Sequence, residues 1–185
     1  MERTVRLLSG LPPYGAMAAA FPPEWDYLGR EGTVVEFKTE TGTWVANFRP
    51  GFGGLQFACL LPNRVNAIVI AKGDLWIIDL STRTAVRKLP AIDGMWEAQN
   101  PEGWVVSRQG IALARFGPHG LMWHTRRLSW DGFDQVEIDQ GELRGLAWSP
   151  LDDKWYPFNV ELGTGKSAGG SYFREDTEGW EVLAG

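Results

Sequence analysis

The sequence has few of the residues that usually carry metals, disulfides or acid–base chemistry. It contains one cysteine, Cys59, which excludes an intrachain disulfide framework and a multi-cysteine zinc site. Cys59 lies in an apolar run, where an inert, buried thiol is the expected state. The two histidines, His119 and His124, are five residues apart and lack the i, i+4 spacing of a helical zinc pair. We therefore predict no metal, no cofactor and no identifiable catalytic residue.

Positive charge and long hydrophobic runs are also scarce. The 185 residues include 18 Lys and Arg against 23 Asp and Glu, a net charge of −5. Nucleic-acid binding normally needs a basic surface that displaces counterions from phosphates, so we predict no nucleic-acid partner. No apolar stretch approaches the ~18 residues of a membrane span, and we predict no membrane association. Low cysteine usage favours a reducing compartment, with the cytoplasm as the expected location.

Turn-forming residues and tryptophan are abundant, and together they favour an all-β protein. The chain has 23 Gly, 11 Pro and 10 Trp, and short apolar runs alternate with turn signals every 8–12 residues. Residues 1–30 carry two Pro-Pro pairs and are predicted to form an N-terminal arm, with a strand over 3–8 and helical turns over 14–20. We expect the arm to pack on the main body through Phe21, Trp25 and Tyr27. Residues 31–185 are predicted to form a single all-β domain. Its expected strands are 34–38, 43–48, 55–61, 65–71, 74–80, 85–89, 104–108, 111–116, 121–128, 133–138, 142–148, 155–162 and, more weakly, 171–174.

The strands recur in units of about 40 residues. One unit runs from 65 to 89 and contains a Lys72-Gly73 hairpin; the next runs from 104 to 128 and contains a Gln109-Gly110 hairpin in the same place. A third unit, 143–169, uses residues 150–153 as its hairpin, and an earlier one is centred on the turn at 39–42. Antiparallel units of this length are typical of propeller blades.

The segment Trp76-Ile-Ile-Asp-Leu-Ser-Thr82 resembles the blades of quinoprotein-like β-propellers, in which a strand ending in Asp-Leu leads into a Thr-Gly turn. Residues 158–165 carry a looser version of the same pattern. The resemblance implies a propeller-like fold of about four units, fewer than the usual six to eight, so either a small closed ring or an incomplete propeller is expected. Exposed sheet edges in an incomplete propeller favour pairing with a second copy, and we predict a homodimer.

Two other motifs favour ordinary turns over chemistry. Gly165-Lys166-Ser167 matches the end of a phosphate-binding loop, but Val160 stands where that loop needs its first glycine. Carboxylates cluster at 131–134, 137–139 and 152–153. With Trp130 and Trp148 nearby, such a pair would suit a carbohydrate-acting enzyme, although Asp-Gly and Asp-Asp are also common turn sequences.

The tryptophans are the strongest functional signal. They either pack neighbouring units together or line a shared face that stacks on a sugar, a peptide or a partner protein. We single out four as candidate binding residues: Trp123, Trp130, Trp148 and Trp155. The first hypothesis is a non-catalytic binding or protein-interaction module. The alternatives are a small-molecule or carbohydrate-acting enzyme with a carboxylate pair, and an immunity-type protein that neutralises a toxin.

Overall fold

The chain forms an all-β structure built from four-stranded sheets. The computed structural model describes residues 3–26, 30–99, 102–118 and 120–173. These residues form sixteen strands and no helix, and none of them belongs to a helix that could cross a membrane. The chain divides into two compact units, Met1–Ile92 and Asp93–Gly185. The predicted all-β class and its repeated units of about 40 residues are confirmed.

The first unit contains two sheets. The first sheet has the order β1-β3-β4-β2, and the second has the order β5-β6-β7-β8. All described pairings are antiparallel except that β2 runs parallel to β4. The strands are β1 (Thr4–Leu8), β2 (Ala19–Phe21), β3 (Thr33–Thr39), β4 (Gly42–Phe48), β5 (Phe57–Leu60), β6 (Asn66–Ala71), β7 (Asp74–Asp79) and β8 (Thr84–Leu89).

Alternating side chains of these two sheets form one apolar core. Phe37, Trp44 and Phe48 from the first sheet join Val69 and Trp76 from the second in a single buried cluster. The Phe37 and Trp44 rings stack with their centroids 4.3 Å apart, a geometry that adds to the free energy gained by removing the rings from water. Trp44 and Phe48 point to the same side of β4, as the alternation of side chains along a strand requires.

The second unit contains the other two sheets, with orders β12-β11-β10-β9 and β13-β14-β15-β16. Its buried cluster includes Val105 and Leu113 from the third sheet, and Ala147, Phe158 and Val160 from the fourth. The strands are β9 (Ile92–Gln99), β10 (Glu102–Arg108), β11 (Ala112–Gly117), β12 (Gly120–His124), β13 (Phe133–Asp139), β14 (Glu142–Ser149), β15 (Lys154–Glu161) and β16 (Ser167–Gly169).

The predicted hairpins occupy equivalent places in the sheets. Lys72 and Gly73 have φ values of 46° and 88°, and Gln109 and Gly110 have values of 54° and 62°. Two successive residues with positive φ match the right-handed twist of the strands that they connect. Each pair joins the second strand of its sheet to the third, and residues 150–153 join the same two strands of the fourth sheet. The repeat inferred from sequence is therefore present in the strand order.

Three local expectations are wrong. Residues 14–18 are not strand or helix and residues 19–21 are a strand, so the predicted helical turns over 14–20 are absent. The last described strand is Ser167–Gly169 rather than 171–174, of which 174 lies outside the described residues. Strand β9 was not anticipated, because its sequence Ile-Asp-Gly-Met-Trp-Glu-Ala-Gln has little of the alternation that identifies a strand.

The N-terminal residues supply strands to the first sheet. β1 pairs with β3, and the short β2 lies beside β4 on the opposite edge. Phe21, which was expected to hold the arm to the main body, is buried and stacks on Phe48 at 4.8 Å. Trp25 lies close to Gly32, since a Cβ added to Gly32 would be 2.8 Å from the Trp25 indole ring. The backbone of Phe48 lies beside the same glycine. Tyr27, the third expected contact, lies outside the described residues.

The turn that carries the blade-like Asp-Leu-Ser-Thr sequence is closed by one carboxylate. Asp79 Oδ1 accepts hydrogen bonds from the Ser81 backbone N–H at 2.7 Å, the Ser81 hydroxyl at 2.5 Å and the Thr82 N–H at 3.1 Å. The Ser81 hydroxyl is the largest of the contributions that hold the pKa of Asp79 below its usual value. The ionised carboxylate therefore stabilises the β7–β8 turn.

Replacing Asp79 by alanine should lower the free energy of unfolding at pH 7 by about 1 kcal/mol, a small figure because water screens an exposed carboxylate. Since the folded pKa lies below the ordinary 3.8, this stabilisation is present above pH 3.8 and is lost as the pH falls through the folded pKa. Urea unfolding of both proteins at pH 7 and pH 3 measures the difference. A gap that stays constant over this range would contradict the assignment.

Gly110→Ala should destabilise the second unit more than Gly141→Ala. Both glycines have positive φ, but a Cβ on Gly110 would lie 2.7 Å from the Gly132 backbone nitrogen, whereas Gly141 faces open space. We expect about 1 kcal/mol for Gly141→Ala from backbone strain and about 3 kcal/mol for Gly110→Ala. Chemical denaturation measures both values, and equal losses would show that the Gly110 turn is not closely packed.

Candidate functional site

Three of the four candidate tryptophans belong to one region of the second unit. Trp148 and Trp155 are direct cross-strand partners on β14 and β15, with ring centroids 5.0 Å apart and an interplanar angle of 51°. The backbone N–H of Trp130 donates to the Trp148 carbonyl at 3.2 Å. Trp155 is 42% exposed, and the other two rings are half-buried. The Trp148–Trp155 pair is thus an aromatic surface that no described side chain covers completely.

Trp123, the fourth candidate, lies apart from this surface. Its side chain is 9% exposed and belongs to the buried cluster of the second unit. Its indole N–H donates to the Leu162 carbonyl oxygen at 2.8 Å, and Gly165 leaves room for the ring. A buried tryptophan with a satisfied N–H is a packing residue. We therefore leave Trp123 out of the candidate surface.

Strand alternation places the Trp148–Trp155 pair on the side of the fourth sheet that faces away from the core. On β14, Leu143 and Ala147 point into the core, so Trp148 points outward. On β15, Phe158 and Val160 point into the core. We call the outward-pointing residues of β13, β14 and β15 the outer face. They are Asp134, Glu137, Asp139, Glu142, Arg144, Leu146, Trp148, Trp155, Pro157, Asn159 and Glu161.

Trp130 lies in the loop that follows the third sheet, and neighbouring side chains hold its ring in place. Its ring meets Tyr172 edge-on, with centroids 4.7 Å apart, and the Arg127 guanidinium lies 5.1 Å from the Trp130 ring and 4.4 Å from the Tyr172 ring. The same guanidinium donates to the carbonyls of Ser129 and Trp130 at 2.9 Å each. These contacts fix the loop beside Trp148, so Trp130 acts as a support for the exposed pair.

A polar network occupies the opposite end of the outer face. Glu142 accepts hydrogen bonds from Arg144 Nε at 2.8 Å and from the Asn159 amide at 3.0 Å. The hydrogen bond from Arg144, followed by that from Asn159, lowers the pKa of Glu142. The carboxylate is therefore held ionised and oriented on the surface.

A second carboxylate is held ionised beside the tryptophans. The Tyr156 hydroxyl donates to Asp152 at 2.5 Å in the loop that joins β14 to β15, and this bond is the main cause of the lowered pKa of Asp152 and the raised pKa of Tyr156. Leu151 in the same loop is 74% exposed, and Phe173, which meets the Tyr156 ring edge-on, is 72% exposed. Tyr156 follows Trp155 on β15 and therefore points to the opposite side of the sheet, so the Tyr156–Phe173 contact is not part of the surface that carries the tryptophan pair.

An open cavity of about 860 Å³ lies at the polar end of the outer face. Its acidic lining comes from Glu97, Asp139, Glu142 and Glu161, and none of its lining residues in the described part of the chain is lysine, arginine or histidine. Of these four acidic residues, only Asp139 belongs to one of the carboxylate clusters predicted from the sequence. Glu97 lies on the unanticipated β9, and the other two become neighbours through strand register.

Other motifs do not form reactive sites in the described part of the chain. No group of three or more His, Cys, Asp or Glu side chains is placed to hold a metal ion there. His124 is exposed and His119 lies outside the described residues, while Cys59 is half-buried rather than buried. Residues 165–169 also match Gly-x-Ser-x-Gly, but that motif and the phosphate loop both lead into a helix, and Ser167 instead begins strand β16.

Comparisons with known proteins do not assign a family. No protein-family model matches the sequence, and no curated protein sequence is significantly similar to it. Among solved structures, the fold is similar to one described as "Crystal structure of the eukaryotic initiation factor", with 11% sequence identity and a TM-score of 0.41. The match covers 80% of this chain and 42% of that chain. A likeness at this level carries no functional argument.

Replacing each tryptophan by phenylalanine should separate packing from surface roles. Trp123→Phe loses the hydrogen bond to Leu162 and leaves a small void, and should lower the free energy of unfolding by about 2 kcal/mol. Trp155→Phe removes nothing from the core and should change it by about 0.5 kcal/mol or less. Denaturant titrations test both values. Equal losses would mean that Trp155 is also a packing residue.

Proposed function

We propose that this chain is a non-catalytic binding or protein-interaction module, and that its contact surface is the outer face of the fourth sheet. The observation that carries the proposal is the Trp148–Trp155 pair, whose two adjacent indoles do not belong to the buried core of the second unit. Exposed tryptophans leave apolar area in water that a partner can remove. Tryptophan is also among the residues most often found at the energetic centre of interfaces.

The surroundings of the pair suit binding more than catalysis. A glycosidase needs one carboxyl group whose pKa is raised so that it can donate a proton. Glu142 on the outer face and Asp152 in the β14–β15 loop have lowered pKa values because they accept hydrogen bonds. Both are therefore poor proton donors at neutral pH, which weakens the carboxylate-pair enzyme as an alternative. An immunity-type protein that neutralises a toxin is one form that the proposed module can take.

We also propose that the four sheets correspond to blades of a small propeller. Four strands per sheet and hairpins between the second and third strands support this view. A cytoplasmic location, the lack of a nucleic-acid partner and the homodimer stay predictions. The acidic composition and the single cysteine support the first two, and the open edges of the sheets support the third.

Selection from a displayed library of random 12-residue peptides tests the binding function. Peptides enriched on the wild-type protein should bind Trp155→Ala at least tenfold more weakly, because the substitution removes the exposed indole from the centre of the contact. Phe52→Ala is the matched control, since Phe52 is a fully exposed aromatic of the first unit. Peptides that bind all three proteins equally would contradict the proposed surface.

A further inference from the structure

The outer face is strongly acidic at the end away from the tryptophans. Asp134, Glu137 and Asp139 of β13 point outward and are exposed, and they are joined by Glu142 of β14 and Glu161 of β15. Among the described residues, these five carboxylates outnumber the basic residues on this side of the sheet, which are Arg144 and Lys166; the backbone carbonyl of Lys166 accepts from the Glu161 N–H at 2.9 Å. The acidic excess is therefore concentrated on the surface that also carries the aromatic pair.

Arg144, the basic residue of β14 on the outer face, is already paired with a carboxylate. Arg144 lies 2.6 Å from Glu142 through its Nη2 atom and donates a second hydrogen bond from Nε at 2.8 Å. This two-point contact occupies the guanidinium, so it does not cancel the charge of Glu137 or Asp139. Glu97 adds a further carboxylate across the cavity that Asp139 and Glu161 line. Carboxylates therefore outnumber basic side chains at this end among the described residues.

The apolar and acidic ends form one elongated surface. The Trp148–Trp155 pair and the Glu142–Glu161 pair are six residues apart along the same two strands, a separation of about 20 Å at the usual strand rise. Between them, a shallow depression of about 390 Å³ is lined by Pro157, Asn159 and Ala168, and by Arg144, whose guanidinium is held by Glu142. A surface of this length suits an extended segment of about six residues better than a single small molecule.

We propose that the partner of the outer face is a basic protein segment, with an apolar side chain on the Trp148–Trp155 pair and lysine or arginine side chains against Glu137, Asp139 and Glu161. The inference rests on the proposed binding function and names its partner class. Charge complementarity decides between occupants. A second copy of this chain would place the same acidic surface against itself, and a nucleic acid would add phosphates to it, so both are repelled.

Calorimetric titration with defined peptides tests the proposal. The probe is an acetylated, amidated decapeptide of alternating leucine and lysine, and its two controls have glutamate or serine in place of lysine. The lysine peptide should bind at least tenfold more tightly than either control. Its affinity should fall at least fivefold between 50 and 300 mM salt, because salt screens exposed charges. Binding no tighter than that of the serine peptide would overturn the proposal.

Matched charge variants locate the contact. Glu137→Gln combined with Asp139→Asn should weaken binding of the lysine peptide at least threefold. Glu24→Gln combined with Asp93→Asn removes the same charges from exposed residues that are not part of the outer face and should leave affinity within twofold. Equal effects of the two double variants would show that only the net charge matters, and would overturn the assigned surface.

The outcomes also separate this inference from the proposed function. Library peptides that depend on Trp155 but lack basic residues would leave the binding function standing and overturn the basic partner. The absence of any Trp155-dependent peptide would overturn both. Light scattering across a hundredfold dilution tests the second copy. A mass of two chains that Trp155→Ala reduces to one would show that the protein itself occupies the outer face, again overturning the basic partner.

Discussion

Cross-strand pairing between β14 and β15 controls where the functional side chains of the second unit lie. The register sets Trp148 opposite Trp155 and Glu142 opposite Glu161, and it turns Phe158 into the core. Because neighbouring side chains on a strand point to opposite sides, a slip of one residue would bury charged groups and expose core residues. Because such a slip would expose a large apolar area to water, core packing fixes the register and, with it, the outer face.

Tight turns join the neighbouring strand pairs of the second unit, β10 with β11 and β13 with β14. In their hairpins, Gly110 and Gly141 have left-handed backbone conformations, which other residues adopt only with strain. In both turns the preceding glutamine also has a positive φ. The packing of Gly110 against Gly132 leaves no space for a side chain. Glycine is therefore needed there for two independent reasons, whereas only the backbone conformation demands it at Gly141.

The outer face has two properties that do not stabilise the folded protein. Its tryptophan pair leaves apolar area in water, and its carboxylates repel each other, so neither end is explained by a contribution to folding. Arg144 compensates only one of the five acidic side chains. A partner that is both apolar and basic would relieve both costs at once, which is why the two ends are interpreted as one surface.

Much of the fold was predictable from local sequence, because alternation and turn chemistry act over a few residues. The hairpins at Gly73 and Gly110, and the fully buried strand around Ile77, follow from patterns of fewer than ten residues. Strand β9 was missed because pairing with β10, rather than its own pattern, makes it a strand. In the same way, pairing between neighbouring strands decides which segments of ambiguous sequence become strands.

The site depended on the tertiary structure to a greater extent. Composition identified the tryptophans as unusual, but it did not distinguish Trp123, which is buried, from Trp155, which is exposed. Nor did it show that Glu97, Glu142 and Glu161 would meet at one cavity. Residues distant along the chain become neighbours only through strand register and the packing of one sheet on another. Local sequence therefore determined which segments form strands and turns, whereas long-range packing decided which side chains face water together.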